Sequence, residues 1–262
     1  MSDIVVCIKQ VPNTNEVKLD QKTGTLIREG VPSIINPDDK AGLEAALKLK
    51  DATGARVTVL SMGPPQADVA LREALAMGAD EAILVTDRAF GGADTWATSS
   101  TVAAAVKKLK YDLIITGRQA IDGDTAQVGP QIAEHLGLPH VSYAEEIKVD
   151  FDKRVIEVKR QYEDRYHRIR VKLPCLITAL SELGEPRYMT PLGIFDAWKR
   201  ELPVWRRADI TIEDSNIGLD GSPTRVKKSF PKAVKGKGTV VTLDPKESAD
   251  WLVDRLTEKF VI

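Results

Sequence analysis

Short apolar runs alternate with helix-period segments through the first half of the chain. Residues 4–9, 56–61, 81–86 and 113–116 are rich in Val, Ile and Leu and show little alternation, the pattern of strands covered on both faces. Helical patterns fall between them, over residues 38–50, 66–77, 94–109 and 124–136. In the first, Leu43, Ala46 and Leu47 share a face whose apolar stripe ends at Lys50; in the second, Val69, Leu71, Ala74 and Leu75 do so, and Gly78 supplies a stop. Gly137 stops the last. Strands alternating with helices predict an α/β fold with a doubly wound, mostly parallel, Rossmann-like sheet and right-handed crossovers.

The pattern changes near residue 140. Residues 155–159 and 169–173 alternate apolar and polar, which predicts an antiparallel hairpin with one solvated face, turning at Glu163-Asp164-Arg165. Residues 176–180 return to a buried-strand pattern. Residues 201–243 mix Pro, Gly, Lys and Arg with few apolar clusters, and are expected to form an extended arm that is mobile or held by a partner. At the C-terminal end, Asp244, Pro245 and Glu247 make a helix start, and Leu252, Leu256 and Phe260 recur at four-residue spacing, a face that needs another surface. Three parts are therefore expected: a nucleotide-binding α/β domain over 1–200, the arm over 201–243, and a docking helix over 244–262.

Composition narrows the function little. Of 262 residues, 43% are hydrophobic and 29% charged, with a formal net charge of -1, so no global field favours nucleic acid or acidic lipid. Cys7 and Cys175 sit in apolar runs and read as buried, reduced thiols. His135, His140 and His167 lack metal-ligand spacing, and His135 is expected to face solvent beside Glu134. The chain start lacks the features of a signal peptide, and no apolar run is long enough for membrane insertion, so a cytoplasmic location is expected.

The candidate chemistry lies in four loops after the carboxyl ends of the four strands, where open α/β sheets form their ligand crevice. They span residues 9–12, 62–65, 87–95 and 117–127. The third carries Phe90, a Gly-Gly-Ala run ending at Ala93, Asp94 as a helix cap, and hydroxyls at Thr95, Thr98 and Ser99. Glycines admit close backbone approach and free amides at a helix start attract phosphate; an ordinary capped loop is the plainer reading. The fourth repeats the plan with Gly117, Arg118, Gln119, Asp122, Gly123, Asp124 as cap, Thr125, Ala126, Gln127 and Val128. Two such helix starts side by side suggest a ligand with more than one phosphate. Neither loop matches a dinucleotide fingerprint or a P-loop, and no nucleophile–base pair is evident, so the residues alone give a nucleotide-binding α/β domain.

Five ordered segments are more specific: residues 5–12 (VVCIKQVP), 35–38 (INPD), 74–80 (ALAMGAD), 117–122 (GRQAID) and 183–188 (LGEPRY). In them the chain resembles the beta subunits of electron-transfer flavoproteins over nearly its full length. Residues 158–179 also fit the family's signature region, with Glu163-Asp164-Arg165-Tyr166 where many members have an acidic, glycine-rich turn. The resemblance implies a heterodimer with an alpha subunit whose mobile domain carries one FAD. It implies a second nucleotide in this chain, AMP in simple members and FAD in electron-bifurcating ones. The matching positions are Cys7, Asn36, Pro37, Asp38, Met62, Gly117 and residues 122–128, with Lys9 in the first loop.

Residues 122–130 and 87–99 look like the bifurcating type. That type implies NADH as hydride donor to the FAD of this chain. One electron then goes to ferredoxin or flavodoxin, and the other through the alpha-subunit FAD to an acyl-CoA dehydrogenase or reductase; the chain alone has no expected activity. A non-bifurcating shuttle that binds AMP is the alternative, and a stand-alone adenine-nucleotide sensor a remoter one. Residues 185–194 resemble the family's docking loop for acyl-CoA dehydrogenases, with Leu192 or Ile194 as anchor. Pro191 precedes Leu192 where simple members often show the reverse order, and a plain core helix start is the other reading. The arm around 218–225 and the terminal helix are expected to pack on the alpha subunit.

Overall fold

The computed structural model describes residues 1–13, 32–227, 236 and 238–262. By its contacts the chain divides into two units, one of Met1–Lys18 with Leu26–Lys227, the other of Leu19–Thr25 with Lys228–Ile262. In chain order the first unit contains β1 (Asp3–Cys7), β2 (Gln10–Pro12), β3 (Ser33–Ile35), α1 (Pro37–Thr53), β4 (Arg56–Met62), α2 (Asp68–Met77), β5 (Glu81–Val85) and α3 (Thr95–Val106). It continues with β6 (Leu113–Gly117), α4 (Val128–Leu136), β7 (His140–Asp150), β8 (Val155–Gln161), β9 (Tyr166–Lys172), β10 (Cys175–Ala179), α5 (Pro191–Lys199) and β11 (Val204–Trp205).

One sheet organises this unit, in the order β11-β5-β4-β1-β6-β10-β7-β8-β9. The strands from β11 to β7 are parallel, and β8 and β9 continue the sheet antiparallel. The first-half strands are buried on both faces, as their unbroken apolar runs require. Ile4, Val6, Val57 and Val59 point into one core, against Leu43 and Leu47 of α1 and Leu71 of α2. Val5, Leu60 and Ile114 point into the other, against Val102 and Val106 of α3 and Ile132 of α4. The chain steps outward from β1 through β4 to β5, then returns to β6 on the other side of β1. The strand order therefore reverses between β1 and β6, the switch point where such sheets bind ligands.

The α/β class, the hairpin of β8 and β9, and the helix stops at Gly78 and Gly137 stand as read from the sequence. Three expectations change. The fourth helix begins at Val128, not at residue 124, because Asp124 and Ala126 adopt left-handed φ values of 54° and 53° that an α-helix cannot contain. Asp124 is therefore a loop residue, and Gln127 precedes the helix without a side-chain cap. The sheet gains β7, hidden in the sequence because Tyr143 (φ 61°) and a register shift between Ala144 and Glu146 break its alternation.

The third change concerns the arm. Residues 201–227 belong with the sheet unit: β11 pairs with β5, and Ile210 and Ile217 are buried in the core beside α3. The boundary expected at 200 thus falls at 227. Three spaced apolar anchors (Trp205, Ile210 and Ile217) suffice because the backbone pairs with the sheet edge and Arg207 N–H donates to Asp87 at 3.1 Å. Residues 228–235 and 237 of the expected arm lie outside the described residues.

The second unit contains α6 (Pro245–Glu258). The Asp244 carboxylate caps it, accepting from the amides of Lys246 and Glu247 at 2.9 and 3.1 Å. The helix buries none of its residues, and Leu252 is half exposed. Among the described residues, no helix is long and apolar enough to cross a membrane.

Candidate nucleotide site

The crevice at the β1–β6 switch is built around one buried carboxylate. Asp39, in the first turn of α1, accepts from Lys9 N–H beyond the end of β1 and from Gly117 N–H at the end of β6, both at 2.8 Å. It joins two adjacent strand ends to a helix start. Burial raises its pKa to about 7, against hydrogen bonds from Lys9, Asn36 and Gly117 that lower it. Asp38 beside it is also raised by burial, with Arg118 pulling the other way. Burial, then the Asp39 charge, pushes the Cys7 thiol up to about 12, and burial pushes Cys175 up to about 12; both are free thiols without nucleophilic character.

Asn36, fully buried, shapes the fourth loop. Its amide donates to Gln119 O at 2.8 Å and its carbonyl accepts from Ile121 N–H at 3.0 Å. Pro37 fixes the first turn of α1 behind it. Lys9 Nζ closes the loop from outside, 2.7 and 2.9 Å from the two oxygens of Asp122. Gln119 Nε2 bonds Asp124, holding that residue in its left-handed turn. These ties present a run of free donors. Among the described residues, the amides of Thr125, Ala126, Gln127, Val128 and Gly129 have no acceptor. Gly129 packs so tightly that an added Cβ would lie 2.5 Å from Thr116 Oγ1, which sets the start of α4 directly against β6.

The third loop stands beside the fourth. Thr95 Oγ1 donates to Gln127 Oε1 at 2.9 Å, linking the starts of α3 and α4. Asp94 caps α3 as expected, accepting from Ala97 N–H at 3.1 Å. Ala93, Thr95 and Thr98 are half-buried at the same rim, and Met62 closes the end of β4. Phe90 differs from expectation: its side chain lies in the core under α3, because the loop turns inward there, and only its backbone is left for a ligand. Leu192 and Ile194 are not part of this crevice. They lie on α5, which packs on α2 through Gly193, where an added Cβ would lie 2.6 Å from Ala76 O. That packing leaves Leu192, Phe195 and Trp198 exposed.

His135 does not face solvent freely. It is half-buried, with Nε2 3.2 and 3.1 Å from the hydroxyls of Ser99 and Ser100 and its ring edge-on to Trp96 at 4.7 Å. Burial, then the Lys107 charge, lowers its pKa. Sequence reasoning missed Asp39 altogether. A second acid after Asn-Pro-Asp reads as a solvated first-turn residue, and only the β1–β6 switch shows what it ties.

The model for the electron transfer flavoprotein domain matches residues 23–209. The chain is 60% identical to an electron transfer flavoprotein subunit beta of Clostridium acetobutylicum, over 99% of this chain and 100% of that one. The chain belongs to the electron transfer flavoprotein beta-subunit family. Other members are equally full-length matches. It is 57% identical to the caffeyl-CoA reductase-Etf complex subunit CarD of Acetobacterium woodii, over 99% of both chains. It is 49% identical to the acryloyl-CoA reductase electron transfer subunit gamma of Anaerotignum propionicum, over 99% of both.

Two features of the crevice suit the nucleotide that this family carries. The Arg118 guanidinium pairs with Asp38, Nε lying 3.3 Å from Oδ2, and this buried Nε makes no hydrogen bond among the described residues, leaving a cationic group at the crevice that is not fully satisfied. Gly123 has open space where a Cβ would stand.

Proposed function

We propose that this crevice binds FAD and that the chain, with an alpha subunit, forms a cytoplasmic electron-bifurcating complex fed by NADH. The observation that carries the reading is the pair of adjoining helix starts: α3 and α4, joined by the Thr95–Gln127 bond, offer a diphosphate two sets of amides and the positive ends of two helix dipoles. AMP needs only one such cradle. FAD would supply the redox chemistry when bound, accepting the two electrons of a single hydride and passing them on one at a time. The chain's own residues position it: Asn36 and Asp39 fix the loop, Asp94 fixes α3, and residues 125–129 present their amides. The complex would send one electron to ferredoxin or flavodoxin and the other, by way of the alpha-subunit FAD, to an acyl-CoA dehydrogenase or reductase.

The test is anaerobic. With the heterodimer, NADH should reduce ferredoxin only when the acyl-CoA acceptor system is also present. NADH oxidation without any ferredoxin reduction removes the bifurcating role, and no NADH oxidation leaves a simple shuttle.

The exposed face of α5 is proposed as the dehydrogenase contact, with Leu192 (69% exposed) as anchor and Ile194 beside it. Leu192→Ala should slow electron transfer to the dehydrogenase about tenfold while leaving flavin content unchanged. An unchanged rate moves the contact elsewhere. The arm beyond residue 227 and α6, with its unburied apolar residues, are proposed to meet the alpha subunit.

A further inference from the structure

We infer that the strap ending at Ser222 and Thr224 is a specificity element of the nucleotide site, locking the start of α3 so that the crevice retains a dinucleotide over a mononucleotide. The inference rests on the FAD reading above.

The strap follows α3 from end to end. At the far end of the helix, Lys108 sits over the Trp205 ring at 4.0 Å and donates to Asp209 O at 2.7 Å. Ile210 and Ile217 share the core with Val102 and Val106 of α3. The strap then reaches the glycine loop. Gly218, at φ 57°, lies so close to the loop that an added Cβ would stand 2.2 Å from Ala89 O, and Leu219 lies against Gly92.

Its last contacts are with Asp94. The Ser222 hydroxyl accepts from Asp94 N–H at 2.9 Å and donates to Gly218 O at 2.7 Å. Thr224 donates its N–H and its hydroxyl to Asp94 Oδ2, at 3.0 and 2.7 Å. The two oxygens of Asp94 are thus divided, one capping α3 and one held by the strap.

That division matters for an anion. A carboxylate at a phosphate-binding helix start repels the phosphate it sits beside unless donors draw its charge away. Thr224 supplies two donors. Partial burial pushes the Asp94 pKa up, and the Thr224 hydroxyl and the Ala97 and Thr224 amides more than offset it, leaving the group below the usual carboxylate range. Without Thr224 the Gly-Gly-Ala loop loses its outer brace and Asp94 Oδ2 is free to turn toward the crevice. Both effects fall on the α3 half, which on the FAD reading would take the added phosphate of the longer nucleotide; a mononucleotide held by the α4 amides alone would not meet them.

The experiment uses the heterodimer, equilibrated with equimolar FAD and AMP, the nucleotide in the beta site then being released and counted. Thr224→Val keeps the shape and removes the hydroxyl donor; it should shift the FAD-to-AMP ratio about tenfold toward AMP, the scale of one charge-assisted hydrogen bond. Thr224→Ser, which restores the donor, should match the wild type. An unchanged ratio in Thr224→Val overturns the inference, and so does equal loss of both nucleotides, which marks a merely structural strap. A wild-type site that takes AMP alone overturns the FAD reading and the inference with it, and is recognised because it needs no substitution.

Discussion

Gly117→Ala should empty the beta nucleotide site and destabilise the sheet unit by about 3 kcal/mol, lowering its melting temperature by roughly 6–12 °C. Gly117 ends β6 at the switch point, and an added Cβ would stand 2.2 Å from Asp39 Oδ1 and 2.8 Å from Asp39 N. Neither atom can retreat. Asp39 is held from both sides by 2.8 Å bonds, and its backbone nitrogen belongs to the first turn of α1. The loop must shift outward instead, breaking the Gly117–Asp39 bond and the Asn36 contacts with Gln119 and Ile121 that follow it. Gly123→Ala is the control: it meets no protein atom within 4 Å, so the fold should be unaffected. Nucleotide content and thermal unfolding check both. Retention of nucleotide by Gly117→Ala at wild-type level contradicts the placement of the site.

Asp39→Asn should separate stability from binding. An amide offers one acceptor where the carboxylate offers two, so either Lys9 N–H or Gly117 N–H loses its partner, and nucleotide binding should weaken by tenfold or more. Stability behaves differently. Burial raises the pKa of Asp39 in the folded chain to about 7 from an ordinary value of 3.8. The folded state therefore holds its proton more tightly than the unfolded state. The stability this group contributes is full below pH 3.8 and is lost as pH rises through about 7, on the order of 4 kcal/mol across that window.

Asp39→Asn removes that loss, so the wild type should fall relative to the variant between pH 4 and pH 8. The lowered pKa of His135 acts in the opposite sense, its contribution being lost as pH falls below its ordinary 6.5. Comparing the two proteins at each pH cancels it. Melting curves that run parallel across the window contradict the buried-charge account.

The fold was largely legible because its strands are apolar on both faces. The runs at residues 4–9 and 113–116 leave little choice but a covered parallel sheet, and Gly78 and Gly137 stop helices where a left-handed or open backbone is needed. The local structure of the candidate loops was legible only in part. Asp94 capping α3 could be read from Gly-Gly-Ala-Asp-Thr, whereas the same reasoning placed a cap at Asp124. There the chain spends Asp124 and Ala126 in left-handed turns before the helix starts, a choice set by Gln119 and the neighbouring strands and not by local propensity.

Long-range ties were illegible. Asp39 reaches Gly117 across 78 residues and Thr224 reaches Asp94 across 130, and neither pairing leaves a periodic trace. The strap failed for a related reason: Trp205, Ile210 and Ile217 are too widely spaced to form a hydrophobic period, yet each fills a place beside α3.

The measurement that tests the central claim most directly is cofactor stoichiometry. The chain is co-purified with its alpha partner, the nucleotides are released with acid, and FAD and AMP are counted per heterodimer. Two FAD and no AMP is the predicted result; one FAD and one AMP would contradict it, leaving an electron shuttle with a mononucleotide on the α4 loop and no role for NADH.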